Sequence, residues 1–136
     1  MEKVALESIH IKGSHDEYFT PTVDFNAENG VCSIAGESYL ENSFEFYDKL
    51  IDWMDKYIQE NDGLELNFKL TYFNTSSSRA ILDILKSLKE HQENEKNVIV
   101  NWYYPEPDDN ELKLEGEDFI DESELEMNLI EYPENN

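Results

Sequence analysis

The chain has 136 residues, of which 39% are hydrophobic, so we expect a single domain over residues 1–136 that buries its own core. Its 32 acidic and 10 basic residues give a formal net charge of -22, which repels nucleic acids and anionic membrane surfaces. We therefore expect neither as a partner, although an acidic mimic of DNA stays open as an alternative.

The first third of the chain predicts short strands joined by turns. Alternating side chains indicate strands at residues 4–11 and 20–25, with a polar loop between them. Residues 26–30, Asn-Ala-Glu-Asn-Gly, are typical of a hairpin turn, and they lead into a third strand at residues 31–36.

A helix follows, because Asn42-Ser-Phe-Glu45 resembles a capping box and Gly63 is a typical helix terminator. Its apolar side chains recur at helical spacing: Tyr47, Leu50, Ile51, Met54, Tyr57 and Ile58. The same helix carries an aromatic run, most of which we expect in the core and one or two members at an interface: Phe44, Phe46, Tyr47, Trp53 and Tyr57.

The next strand has the clearest alternation in the chain. One predicted face is apolar: Leu64, Leu66, Phe68, Leu70 and Tyr72. The other face is polar: Glu65, Asn67, Lys69 and Thr71. This pattern indicates a half-buried strand.

A second helix is predicted over residues 75–91, with an apolar stripe formed by Ile81, Ile84, Leu85 and Leu88. A strand at residues 97–104 then ends at Pro105. We expect a short acidic helix to start near Asp108 or Asp109 and to end by Gly116, before a last edge strand at residues 127–132. Its neighbouring acids, residues 108–118, lack the spacing of a calcium loop and predict a solvated surface, so no metal is expected.

The alternation of strands and helices predicts the α/β class. Right-handed crossovers would make the later strands parallel, and the hairpin strands would add to one end of a mixed sheet. Because the strand at residues 64–72 is polar on one side, we expect the helices mainly on one face of that sheet.

Cys32 is the single cysteine, which excludes an internal disulfide and a cysteine-based zinc site. It lies in an apolar run, residues 31–36, so we expect a buried and unreactive thiol. The N-terminal residues do not resemble a secretion signal, and no apolar run is long enough to cross a bilayer. These features predict a cytoplasmic protein.

The most informative stretch is Asn74-Thr-Ser-Ser-Ser78, between a strand and a helix. One interpretation is a plain helix cap, for which Asn, Ser and Thr are the preferred residues. A cap requires only one such residue, however, and residues 74–82 contain no acid and only one cation, Arg79. An exposed Thr75 at this helix start would suit a phosphate, which backbone amides and Arg79 would hold.

Two other functions compete with a phosphorylation site. A small hydrolase would use Thr75 or Ser76 as nucleophile, but none of His10, His15 and His91 is paired with such a hydroxyl by any sequence motif. An acidic mimic would need clustered acids irrespective of Thr75. We expect a protein that is not an enzyme and that needs no cofactor.

Several segments resemble the signatures of the SiaC-type family of bacterial regulatory phosphoproteins. They are Thr20–Phe25, Gly36–Asn42, Glu45–Tyr47, Tyr72–Ser78, Asn101–Tyr104 and Gly116–Phe119. The family usually has Pro where this chain has Leu40, and commonly Lys where it has Arg79. Neither difference affects the Asn-Thr-Ser-Ser motif, which in this family contains a phosphorylated threonine.

The resemblance implies that Thr75 is the phosphoacceptor, surrounded by Asn74, Ser76, Ser77, Ser78 and Arg79. It also implies three partners: a serine/threonine kinase, a PPM-type phosphatase, and a diguanylate cyclase that the unphosphorylated protein binds and activates. The implied architecture is similar to that of anti-sigma-factor antagonists (STAS domains), in which the acceptor also begins a helix after a strand.

Overall fold

The computed structural model describes residues 6–15, 19–105 and 111–132. Its strands are β1 (Ile9–Ile11), β2 (Ser14–His15), β3 (Phe19–Thr20), β4 (Thr22–Phe25), β5 (Val31–Ser38), β6 (Gly63–Phe73), β7 (Asn97–Pro105) and β8 (Asn128–Tyr132). Its helices are α1 (Ser43–Glu60), α2 (Thr75–Glu93) and α3 (Glu111–Ser123). Within this described part, six strands form one sheet in the order β1-β4-β5-β6-β7-β8, and β2 pairs with β3.

The main sheet is mixed, as the sequence predicted. Strands β5 to β8 are parallel neighbours, and β1 and β4 add to the β5 edge in antiparallel fashion. Helices α1, α2 and α3 make the three consecutive parallel crossovers, and right-handed crossovers in one direction put all their helices on one face. Accordingly α1 packs against α2, and α2 against α3.

The core lies between these helices and one face of the sheet. The sheet contributes Ile34, Leu66, Phe68, Val100 and Trp102, and the helices contribute Leu50, Met54, Ile81, Ile84, Leu85 and Leu88. Cys32 is fully buried in the same core, and burial raises the pKa of its thiol to about 12. This confirms the prediction of a buried and unreactive thiol.

The alternation of β6 breaks near its end, where the prediction for Tyr72 was wrong. Gly36 pairs with Leu70 but Glu37 pairs with Tyr72, so Thr71 is an extra residue that forms a β-bulge. The bulge turns Tyr72 out of the core, so that it is exposed, and turns Phe73 into the core against Trp102. Gly36 has a φ of 97°, a conformation that favours glycine at this irregular position.

On the face of the sheet opposite the helices, β6 contributes polar residues, and some of them are buried. Asn67, Asn101 and Asn128 lie in register across β6, β7 and β8. The amide of Asn128 donates to Asn101, and that of Asn101 donates to Asn67, each at 2.8 Å. Asn67 and Asn101 are buried, and their hydrogen bonds to one another offset the loss of water.

Several predicted boundaries were wrong. The first strand covers only Ile9–Ile11; residues 6–8 are not in a strand, and residues 4 and 5 lie outside the described residues. The expected loop contains β2, and the expected strand at residues 20–25 is divided into β3 and β4. These short strands have too few alternating residues for their ends to be placed from sequence.

Gly116 does not end the acidic helix, because α3 continues to Ser123. The predicted start at Asp108 or Asp109 lies outside the described residues. Gly116 is buried where α3 crosses the sheet, and a Cβ atom there would lie 2.6 Å from Cδ1 of Trp102. This glycine therefore permits close packing instead of terminating the helix.

Candidate functional site

The site is the first turn of α2, which follows β6 directly. Asn74 is its N-cap, and its Oδ1 atom accepts a hydrogen bond of 3.0 Å from the amide of Ser77. The Nδ2 atom of Asn74 donates to the carbonyl of Leu40 at 3.0 Å, and its backbone amide donates to the carbonyl of Ser38 at 3.1 Å. The N-cap thus fixes the start of α2 to the end of β5 and the segment that follows it.

The contact with Leu40 does not depend on the side chain at that position. Any residue at position 40 supplies the backbone carbonyl, so the family's usual Pro is not required for this contact.

The four consecutive hydroxyls have different environments. Thr75 is exposed, Ser76 and Ser78 are half-buried, and Ser77 is fully buried. Thr75 is therefore the most accessible of the four residues, whereas Ser77 is inaccessible in the folded state.

Ser77 belongs to a buried hydroxyl cluster that also contains Ser38, Ser43 and Tyr47. The Oγ atom of Ser38 lies 2.7 Å from Oγ of Ser77 and 2.8 Å from the hydroxyl oxygen of Tyr47. Ser43 Oγ lies 3.2 Å from Ser77 Oγ, which donates to the carbonyl of Ser38 at 3.0 Å. One set of proton positions satisfies all four contacts: Tyr47 donates to Ser38, Ser38 and Ser43 donate to Ser77, and Ser77 donates to the carbonyl.

The hydroxyl cluster links the end of β5 with the first turns of α1 and α2. Burial raises the pKa of Tyr47 to about 12, although its hydrogen bond to Ser38 acts in the opposite direction. The phenol therefore stays protonated and acts as a donor at neutral pH. The sequence does not identify Ser38 and Ser43 as partners of Ser77, because no local pattern relates positions more than 30 residues apart.

The electrostatics of the α2 start differ from those of the other helices. α1 and α3 carry Glu45 and Glu111 in their first turns, whereas α2 has no acidic residue there. The positive end of the α2 dipole is therefore not offset by an acid of its own first turn. Arg79 is exposed one turn along the same helix. An anion on Thr75 would meet this dipole and this cation.

No catalytic base is placed against Thr75 or Ser76 by the part of the chain that the structure describes. Within the described ranges, neither hydroxyl forms a hydrogen bond with a histidine or an acidic side chain. His91 is paired instead with Asp55, at 2.8 Å, near the opposite end of α2 and about 24 Å away along the helix. Ser87 also donates to Asp55, so the acid bridges the serine and the histidine, unlike a catalytic triad. His10 is paired with Asp24.

The described residues contain no group of three His, Cys, Asp or Glu side chains placed to hold a metal ion. None of the helices in residues 6–15, 19–105 and 111–132 has both the length and the apolar character needed to span a bilayer.

Comparison with known proteins agrees with this geometry. A family model described as SiaC family regulatory phosphoprotein matches residues 12–132, and it confirms the resemblance inferred from the motifs. The chain is also 35% identical, over 100 residues, to an uncharacterized protein of Pseudomonas aeruginosa strain UCBPP-PA14. That match covers 73% of this chain and 77% of the relative.

Two crystal structures from P. aeruginosa are similar in both sequence and fold. Apo-SiaC is 31% identical with a TM-score of 0.78, over 90% of this chain and 98% of that chain. The structure of diguanylate cyclase SiaD in complex with its activator SiaC contains a chain that is 30% identical. Its TM-score is 0.81, over 91% of this chain and 99% of that chain. Because the family model spans residues 12–132 of 136, the protein belongs to the SiaC family of regulatory phosphoproteins.

Proposed function

We propose that this protein is a non-enzymatic switch controlled by phosphorylation of Thr75. In its unphosphorylated form it binds and activates an effector, which by analogy with the SiaC relative is a diguanylate cyclase. A serine/threonine kinase adds the phosphoryl group and a PPM-type phosphatase removes it. This protein acts in the cytoplasm.

The observation that carries the proposal is the exposed Thr75 hydroxyl in a helix turn without acids. Phosphorylation adds about -1.5 to -2 charges, which the helix dipole and Arg79 stabilise locally. Hydrogen bonds of the buried hydroxyl cluster and of the Asn74 cap fix this turn on its buried side. The added charge therefore leaves the fold intact. Its effect then falls on a partner that docks over Thr75.

Neither rival function is supported by a specific contact. A hydrolase using Thr75 or Ser76 needs a base within hydrogen-bond reach, and the two described histidine pairs, His10 with Asp24 and His91 with Asp55, involve other residues. An acidic mimic needs no acid-free helix start, yet this chain has one despite a net charge of -22.

Mass spectrometry after incubation with the cognate kinase tests the acceptor. We expect one phosphoryl group on Thr75 in the wild-type protein and none in Thr75→Ala. Ser76→Ala is the matched control, because it removes the neighbouring hydroxyl and should be labelled like the wild type. Labelling of Thr75→Ala at the wild-type rate would overturn the assignment.

The output is tested separately by adding unphosphorylated protein to the purified diguanylate cyclase of the same organism. We expect cyclic di-GMP synthesis to rise with the concentration of the wild-type protein, and the phosphoprotein to have little effect. Equal activation by both forms would contradict the switch, even if Thr75 is the phosphorylated residue.

A further inference from the structure

Three exposed aromatic side chains lie in contact beside the start of α2, and we call Phe19, Tyr39 and Tyr72 the aromatic patch. They are 36%, 48% and 46% exposed. The rings of Tyr39 and Tyr72 stack with centroids 6.0 Å apart, and that of Phe19 lies 6.4 Å from Tyr39. Single exposed apolar residues are common, but contiguous groups of them mark interaction surfaces.

The backbone holds these rings outward. The bulge at Thr71 turns Tyr72 away from the core, although the regular alternation of β6 would bury it. Phe19 and Tyr39 exchange two backbone hydrogen bonds, of 3.2 and 2.8 Å, which keep both rings at the same edge. Phe73 fills the core position instead, against Trp102 and Phe119. Burial of the core therefore does not require the exposed rings.

The aromatic patch is connected to the start of α2 by the chain itself and by the hydrogen bonds of Asn74. Tyr72 precedes Thr75 by three residues, and Tyr39 directly follows the Ser38 carbonyl that accepts from the Asn74 amide. Asn74 also binds the carbonyl of Leu40, the residue after Tyr39. A partner that covers the aromatic patch therefore lies next to the phosphorylation site.

The charge around the aromatic patch indicates the chemistry of its occupant. Tyr72 lines a cavity of about 140 Å³ together with Glu111 and Glu115. Burial, followed by the nearby charges of Glu111 and Asp118, raises the pKa of Glu115, so a cation here would relieve unfavourable interactions. A second copy of this chain would bring another net charge of -22 to the same surface.

We propose that the aromatic patch is the docking surface for a segment of the effector in which apolar side chains are flanked by Lys or Arg. The apolar side chains cover Tyr39 and Tyr72, and a basic side chain enters the cavity beside Glu115. This inference rests on the proposed function, and it explains why a phosphoryl group on Thr75 would disturb binding at the edge of the same interface.

The test measures binding of the purified diguanylate cyclase of the same organism to unphosphorylated variants by calorimetry. We expect Tyr39→Ala and Tyr72→Ala each to weaken binding about tenfold, because tyrosine is enriched among the interface residues whose truncation costs the most affinity. Glu115→Gln should weaken it less, and affinity should fall as salt concentration rises. The matched control is the double variant Val31→Ala and Ile99→Ala, because these residues are similarly exposed near the starts of the parallel strands β5 and β7, whereas Tyr39 and Tyr72 lie at the other end of the parallel strands.

The possible outcomes distinguish docking at the aromatic patch from control by Thr75 phosphorylation. Wild-type affinity in both tyrosine variants overturns the aromatic patch, while a loss of binding on phosphorylation would leave the switch standing. Weak binding by the tyrosine variants with equal binding of both phosphorylation states would keep the aromatic patch and overturn the switch. A wild-type protein that binds no cyclase overturns both. Tyrosine variants that change the mass of a self-associated form would show that the occupant is a second copy.

Discussion

The hydroxyl oxygens of Ser77 and Ser38 lie 2.7 Å apart in the protein interior, two residues along α2 from the exposed Thr75. Through Tyr47 and Ser43, the same cluster joins β5 and the first turns of both long helices. The candidate acceptor therefore stands on a turn whose backbone is held by buried hydrogen bonds. This arrangement predicts that phosphorylation changes the surface of the domain and leaves its fold in place.

Removing the buried hydroxyl should destabilise the domain. We expect Ser77→Ala to lower the free energy of unfolding by about 1–3 kcal/mol, because Ser38 and Ser43 would lose a buried partner. Ser78→Ala is the matched control, since it makes the same change one residue on at a half-buried position, with the same gain in helix propensity. Urea unfolding followed by tryptophan fluorescence measures both. Equal stability of the two variants would show that the cluster contributes little.

The two asparagine caps should differ in strength. The Asn74 side chain accepts a hydrogen bond of 3.0 Å from the amide of Ser77 and also donates to the carbonyl of Leu40. The Asn42 side chain accepts a longer hydrogen bond, of 3.4 Å, from the amide of Glu45. We expect Asn74→Ala to cost about 1–2 kcal/mol of unfolding free energy, and Asn42→Ala to cost less. Thermal unfolding by circular dichroism compares them, and a larger effect at Asn42 would contradict this ranking.

Stability should decline at high pH because of Tyr47. Its pKa is about 12 in the folded state and near 10 when unfolded, so ionisation favours the unfolded chain as pH rises. Protonated Tyr47 makes its full contribution to the free energy of unfolding below pH 10. About 2 kcal/mol of that contribution is lost between pH 10 and pH 12. Tyr47→Phe should therefore show a shallower decline in urea unfolding over this range. Cys32 affects both proteins equally, so parallel pH profiles would disprove the role of Tyr47.

Gly116 should not tolerate a methyl group, although it lies within a helix. Alanine there would gain about 1 kcal/mol of helix propensity, but its Cβ would lie 2.6 Å from Trp102 and 2.8 Å from a methyl of Leu129. We expect Gly116→Ala to lower the melting temperature and change the fluorescence of Trp102. Glu117→Ala, exposed on the same helix, should not. A more stable Gly116→Ala would show that the contact relaxes at no cost.

The sequence was sufficient where a pattern is local and repeated. The helical spacing of Ile81, Ile84, Leu85 and Leu88 predicted the buried face of α2, and all four are fully buried. The Asn74 cap and the acid-free turn were also predictable, because both depend on neighbouring residues. For the same reason, the alternation of strands and helices was enough to predict the mixed sheet.

The errors arose where distant parts of the chain meet. Tyr72 leaves the core because β6 accommodates an extra residue opposite Gly36, and this depends on the pairing partner of β6. Gly116 lies inside α3 instead of at its end, and its lack of a side chain lets Trp102, from a distant strand, pack against the helix. The hydroxyl cluster joins Ser38 to a residue 39 positions away, which no helical or strand period relates.

The most direct test of the account is the affinity of the diguanylate cyclase for the two phosphorylation states, measured by calorimetry alongside circular dichroism of each form. A phosphoryl group that disrupts the docked surface by ~3 kcal/mol lowers affinity more than a hundredfold. We predict this loss together with unchanged circular dichroism. Equal affinities, or lost affinity accompanied by melted structure, would contradict the central claim that Thr75 phosphorylation acts at the surface of an intact domain.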